Sequence, residues 1–166
     1  MKLIIASLLF FSIVILFIFA LFPADISVSR VVQINKPDSL VRKKIADLRE
    51  WESWNELMKG NTYRQPVSIT HIPGSDSSHI RRAYINVDLI RVVTDTIFTR
   101  WSHNKKTFGS TFILTALNGQ TVLEWTLHFH LKWYPWEKLA SMFYDKQLGP
   151  VMEQSLMNLR REMEAY

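Results

Sequence analysis

The sequence predicts an α+β chain: a curved antiparallel sheet wrapped on a long C-terminal helix, behind one N-terminal transmembrane helix. Three observations carry this. Residues 3–22 form twenty positions without charge, proline or glycine. Residues 121–133 alternate between an apolar and a polar face with period two, as a half-buried strand does. From Trp136 to about Ala165 the apolar period becomes helical.

The first segment, LIIASLLFFSIVILFIFALF, has only Ser7 and Ser12 as polar side chains. At about 1.5 Å per residue it is roughly 30 Å long as a helix, the depth of a bilayer's hydrocarbon core. It is longer than the apolar stretch of a cleaved signal peptide, and Ala20-Leu21-Phe22-Pro23 is a poor cleavage site. The chain divides into an anchor, 1–22, and one domain, 23–166, long enough to bury a core. Lys2 precedes the helix, and Pro23 to Ser29 carry no Lys or Arg. This favours the N-terminus inside and the domain on the outer, periplasmic face. The chain has no cysteine, which excludes acylation, disulfides and thiolate metal sites.

Ile26 to Ile34 is β-branched and partly alternating, a strand. Asn35-Lys36-Pro37-Asp38-Ser39 then starts a helix, with Asp38 or Ser39 as cap. Leu40, Val41, Ile45 and Leu48 carry its period to about Trp51. Strands follow at 67–72 and, beyond the turn at Pro73-Gly74-Ser75-Asp76, at 80–99. In the second, Ile85, Val87 and Leu89 define one face and Ile90 and Val92 the other, which calls for a bulge or strand change near Ile90. Ser102 to Lys106 reads as a turn and Phe108 to Leu117 as a strand. Asn118-Gly119 marks a tight hairpin, because both residues tolerate positive φ. In 121–133, Leu123, Trp125, Leu127, Phe129, Leu131 and Trp133 share one face.

The last helix shows Leu139, Met142 and Phe143 on one face of its first part, and Met152, Ser155, Leu156, Leu159 and Met163 on one face of its second. Gly149-Pro150 predicts a kink or break near Leu148. A sheet with one apolar face needs a cover, and this helix is the only element large enough. The space between them is the expected ligand cavity, lined by Phe112, Leu114, Trp125, Leu127, Phe129, Met142, Phe143 and Met152. Trp133, Tyr134 and Trp136 follow the last strand, where they pack as a loop or dip into a lipid interface.

Several segments resemble the SRPBCC superfamily, the START, Bet v 1 and polyketide cyclase-like proteins, and more closely its membrane-anchored bacterial polyketide cyclase/dehydrase-like members. They are Arg30-Val31-Val32-Gln33-Ile34-Asn35-Lys36-Pro37, Trp51-Glu52-Ser53-Trp54-Asn55, Leu123-Glu124-Trp125-Thr126, and Phe143-Tyr144-Asp145-Lys146-Gln147-Leu148-Gly149-Pro150, in that order over residues 26–164. After Trp54, Glu56-Leu57 replaces a Pro-Trp common in such chains. The resemblance implies a helix-grip fold with a hydrophobic cavity; it does not imply catalysis.

Signals for chemistry are sparse. His128 and His130 share the polar face of the last strand, but Glu124 lies about 13 Å along it from His128, too far for one ion. No metal or other cofactor is expected. There is no nucleophile elbow and no glycine-rich phosphate loop. The 20 Lys and Arg against 15 Asp and Glu give a net charge of +5. No nucleic-acid motif accompanies this surplus, so no nucleic acid partner is expected, whereas an anionic membrane would attract it. Asp88 and Asp95 interrupt apolar sequence, and Arg91 lies four residues before Asp95. The expected function is non-catalytic binding of a hydrophobic small molecule or lipid at the membrane. The alternatives are a cyclase- or dehydratase-like enzyme using a cavity carboxylate such as Asp88 or Asp95, and an envelope protein–protein interaction module.

Overall fold

A computed structural model describes the backbone of residues 2–21, 23–59, 68–71, 78–81, 85–103 and 106–165, and the side chains of 3–17, 23–59, 85–103 and 106–165. Helix α1 spans Lys2–Leu21. Its Ser12 hydroxyl donates to the Leu8 carbonyl at 2.9 Å, so the polar group is satisfied within the helix. Among the described residues no helix is long and apolar enough to cross a membrane.

Among the described residues seven strands form one sheet: β1 Asp25–Ile34, β2 Ser68–His71, β3 Ser78–Arg81, β4 Ile85–Val92, β5 Thr96–His103, β6 Lys106–Leu117 and β7 Gln120–His130. Their spatial order is β1-β7-β6-β5-β4-β3-β2, and every neighbouring pair is antiparallel. Among the described strands only β1 leaves sequence order: β2, the next in the chain, lies at the far edge of the sheet. The sequence readings at Val67, Ile72, 73–76 and 82–84 lie outside the described residues.

Register fixes which side chains look inward. Arg30 pairs with Trp125, Trp125 with Phe112, and Phe112 with Ile97, so these four share the face that covers the core. The extended stretch read at 80–99 resolves into parts of β3, β4 and β5. Its phase shift is a bulge between Leu89 and Arg91 that leaves Ile90 unpaired and exposed. The extra residue returns Val92 to the core face, opposite Ile97. At the β6–β7 turn, Asn118 and Gly119 have φ of 49° and 79°, the left-handed values a two-residue hairpin needs.

The helix expected to run to Trp51 is shorter. Helix α2 covers Asp38–Ala46, and Pro37, not Asp38 or Ser39, is its cap residue. Asp47 ends it by turning extended, and its carboxylate accepts from the Arg49 amide at 3.0 Å to start a 3-10 turn over Leu48–Glu50. Helices α3 Trp51–Trp54 and α4 Glu56–Lys59 follow. The Glu56-Leu57 pair thus opens α4, where the Glu56 amide donates to Ser155 Oγ at 2.9 Å on the C-terminal helix.

The C-terminal region corrects one expectation. Helix α5 is Pro135–Ser141, and α6 runs unbroken from Tyr144 to Glu164 through Gly149-Pro150. The break lies instead at Met142–Phe143, where the Met142 and Phe143 amides bond three residues back and tighten the last turn of α5. Helix α6 survives its proline because the following turns bury Met152, Ser155, Leu156 and Leu159 against the sheet. The bare backbone of Gly149 also admits the Arg30 side chain from β1.

Candidate functional site

The space between sheet and helix is filled at one end and open at the other. The filled end is aromatic. Trp51 and Trp54 of α3, Trp101 of β5, Phe112 of β6 and Trp125 of β7 are all essentially fully buried. Their rings contact one another at centroid distances of 5.2–6.4 Å, with Phe112 stacked on Trp125. Three of the four buried indole donors find partners: Trp51 Nε1 donates to the Ile45 carbonyl at 2.7 Å, Trp101 Nε1 to Thr99 Oγ1 at 3.2 Å and Trp125 Nε1 to Ser110 Oγ at 2.8 Å, while Trp54 Nε1 is buried without one among the described residues. Close packing of this kind leaves no space for a guest.

The aromatic chain continues outward through Phe108, stacked on Trp101, to Phe129 at 4.9 Å and then to Tyr144 at the start of α6 at 5.0 Å. There the packing stops. A cavity of about 610 Å³ opens between the ends of β5, β6 and β7 and the α5–α6 region. Phe108, Phe129, Leu131 and Tyr144 form its apolar wall; His103, Lys106, Lys132 and Glu137 surround its mouth. The volume is that of a site for a small organic molecule.

Glu137 organises the mouth. Its carboxylate accepts from the Lys132 amide at 2.9 Å and faces the Lys106 ammonium at 3.4 Å, tying α5 to the ends of β6 and β7. The Lys132 amide, with Lys106 beside it, holds the Glu137 carboxyl below its ordinary range. Lys106 and Lys132 are otherwise exposed, so the rim is mainly cationic around one committed carboxylate.

The expected cavity residues divide into three groups. Phe112, Leu114, Trp125, Leu127 and Met152 lie in the closed core. Phe129 is among the cavity-lining residues. The expectation that Met142 and Phe143 face inward is corrected: they stand 61% and 55% exposed, because the α5–α6 junction turns them away from the sheet. Reading by sequence missed Phe108, Leu131, Tyr144 and Glu137 as wall and rim. Phe108 shares the inward face of β6 with Phe112, and Leu131 follows Phe129 by two, so extending each alternation to the strand end points to both. The roles of Tyr144 and Glu137 follow only from how the helices dock.

The proposed acids face elsewhere. Asp88 is paired in register with Arg100, alternating with the inward Val87 and Leu89, and Asp95 sits exposed in the β4–β5 turn, accepting from Thr96 Oγ1. Arg91 lies over the Phe98 ring at 5.2 Å. His128 and His130 are exposed, beside Thr111 at 3.1 Å and Asp25 at 2.7 Å, and His130 also borders the cavity. A second hollow, about 580 Å³, lies over Gly109 among outward residues including Arg100 and His128. Among the described residues no three His, Asp or Glu side chains gather as a metal site.

The fold has solved relatives. The di-domain ARO/CYC protein BexL from the BE-7585A biosynthetic pathway superposes with a TM-score of 0.61 at 11% identity, over 86% of this chain and 51% of that one. DynU16, from the dynemicin biosynthetic locus, gives 0.55 at 19% identity over 83% and 47%. The chain thus spans about half the length of each. A START superfamily protein from Mycobacterium smegmatis gives 0.55 at 15% identity over 84% of this chain and 97% of that one. At these identities the likeness is one of fold. No curated protein matches by sequence. The model for polyketide cyclase/dehydrase and lipid transport proteins matches residues 25–164, the whole helix-grip domain, and the chain belongs to that family.

Proposed function

We propose that the protein is a non-catalytic binder of an amphiphilic small molecule or lipid, held at a membrane by α1. The carrying observation is the cavity where the aromatic core stops. Phe108, Phe129, Leu131 and Tyr144 offer an apolar wall, and Lys106 and Lys132 stand at its mouth. Burying the ligand's apolar body contributes roughly 25 cal/mol per Å². The exposed ammonium groups suit a negatively charged head. The outward placement of Asp88 and Asp95 supports binding over acid–base catalysis.

The anchor reading rests on the uncharged sequence 3–22, and the outer-face placement on the absence of Lys and Arg from 23–29. Solvent extraction of the purified full chain, followed by mass spectrometry, tests the binding function. An amphiphile recovered in stoichiometric amount is expected. No recovered ligand, together with no binding of an apolar fluorophore, overturns it.

A further inference from the structure

We infer that α5 and its flanks lie in the interfacial layer of the bilayer, so that the cavity mouth opens onto lipid rather than bulk water. This rests on the anchor reading above and adds a second, independent contact. Trp133, Trp136, Leu139, Met142 and Phe143 are 49–71% exposed, an apolar patch along α5 and both its ends. A soluble surface seldom gathers so many large apolar groups without a partner. Loop packing, the plainer role for the tryptophans, does not describe them. Trp136 stacks on Tyr134 at 4.9 Å and Tyr134 meets Trp133 at 5.1 Å, while both indoles keep most of their surface outside.

Connectivity selects the occupant. Only three residues separate the end of α1 at Leu21 from β1 at Asp25, a reach on the order of 10 Å. The Ala24 carbonyl in that link accepts from the Leu131 amide at 2.7 Å, two residues before Trp133. Helices α1 and α5 are themselves in contact. Whatever layer holds the end of α1 therefore meets the patch. Its composition fits a bilayer surface: indole rings at headgroup depth, aliphatic side chains beyond them, and the exposed Lys106, Lys132 and Lys146 nearby for anionic lipid. The cavity shares Lys132 and Glu137 with this end of the domain. The Asn118–Gly119 hairpin lies at the opposite end of β7, about 35 Å away for an eleven-residue strand.

The absence of native cysteine allows single-site labelling. The full-length variants Trp136→Cys, Met142→Cys and Leu117→Cys, each carrying an NBD fluorophore, are reconstituted in phosphatidylcholine–phosphatidylglycerol vesicles with and without nitroxide-labelled phosphatidylcholine. Flotation with the vesicles reads the anchor; quenching reads the docking. Probes at 136 and 142 are expected to lose about half their emission to the lipid nitroxide, and the probe at 117 to lose little. Floating protein with 136 and 142 quenched no more than 117 overturns the inference while leaving the anchor intact. A blue-shifted probe that lipid nitroxide does not quench assigns the patch to a second copy or another protein, and also overturns it. Failure to float with no quenching removes both readings; quenching of a chain that associates only peripherally removes the anchor alone.

Discussion

Arg30 and Gly149 share one volume: a Cβ built on Gly149 would stand 2.8 Å from Arg30 Cζ and closer still to Nη2. The guanidinium occupies the space beside Gly149, donating to the Ser29 carbonyl at 2.7 Å and to Asp145 at 2.9 Å. Strand β1, which lies out of sequence order beside β7, is thereby keyed to the helix it grips.

The cost of Gly149→Ala therefore depends on its background. In the native chain the methyl expels the guanidinium from the β1–α6 seam, and a net loss of about 1–2 kcal/mol is expected, as for other overpacked sites. In an Arg30→Ala background that obstruction is gone and the loss should shrink by about 1 kcal/mol, while the Pro150 ring, which crowds a Cβ on the residue before it, keeps alanine from its full helix-propensity gain. Urea unfolding of the four members of the cycle checks this; equal effects in both backgrounds would show that the two residues are not coupled.

The closed end of the grip is structural. Phe112→Ala is expected to cost about 3–5 kcal/mol through lost burial and a residual cavity. Ser110→Ala removes the acceptor of the buried Trp125 N–H, and an unsatisfied donor costs about 1–3 kcal/mol. Denaturant midpoints at unchanged m-value give both numbers.

Ligand affinity should divide along the same line. Phe108→Ala or Phe129→Ala removes cavity wall, and each is expected to weaken an apolar fluorophore about tenfold, near 1.4 kcal/mol of lost burial. Phe112→Ala should leave that affinity within about twofold once its folded fraction is accounted for, because its ring lies in the closed core. Lys106→Ala should weaken an anionic amphiphile at low salt and lose its effect at high salt. Fluorescence titration of the full chain measures all three.

Acid should loosen the mouth. The Glu137 carboxyl is held below its ordinary value of 4.5 by the Lys132 amide and Lys106. A carboxyl lowered in the folded state contributes stability that is present above the ordinary value and lost as pH falls through the folded one. The melting temperature should thus fall as pH drops below 4.5, and Glu137→Gln should show a lower neutral plateau with a shallower acid slope. An unchanged slope in the variant would show that Glu137 does not contribute to it. Glu164, lowered chiefly by the Asn35 amide at 3.0 Å, adds to the same slope and is unaffected by that substitution.

The elements most legible in the sequence are those whose faces differ in polarity. Strand β7 alternates cleanly, Asn118-Gly119 supplies two left-handed residues, and α6 repeats Met152, Ser155, Leu156 and Leu159 at helical spacing. The shift at Ile90 also predicts the bulge, because a strand cannot otherwise present both phases to one core. Gly149-Pro150 does not break the helix, for a physical reason: both residues weaken a helix locally, but burial of the turns beyond them outweighs that loss. Glycine's other meaning, a space for an incoming side chain, depends on Arg30, more than a hundred positions away.

By itself the sequence determined the layers: an apolar N-terminal helix, an amphipathic antiparallel sheet, and a C-terminal helix with one face to bury. Those follow from local period and from the cost of leaving apolar surface in water. Only the tertiary structure decided where the interior is full and where it is empty. Trp125 and Phe129 sit on the same face of one strand with equivalent patterns, yet one is walled in by Trp54, Trp101 and Phe112 and the other reaches the cavity. Alternation specifies which way a side chain points; the volume facing it is set by elements far along the chain.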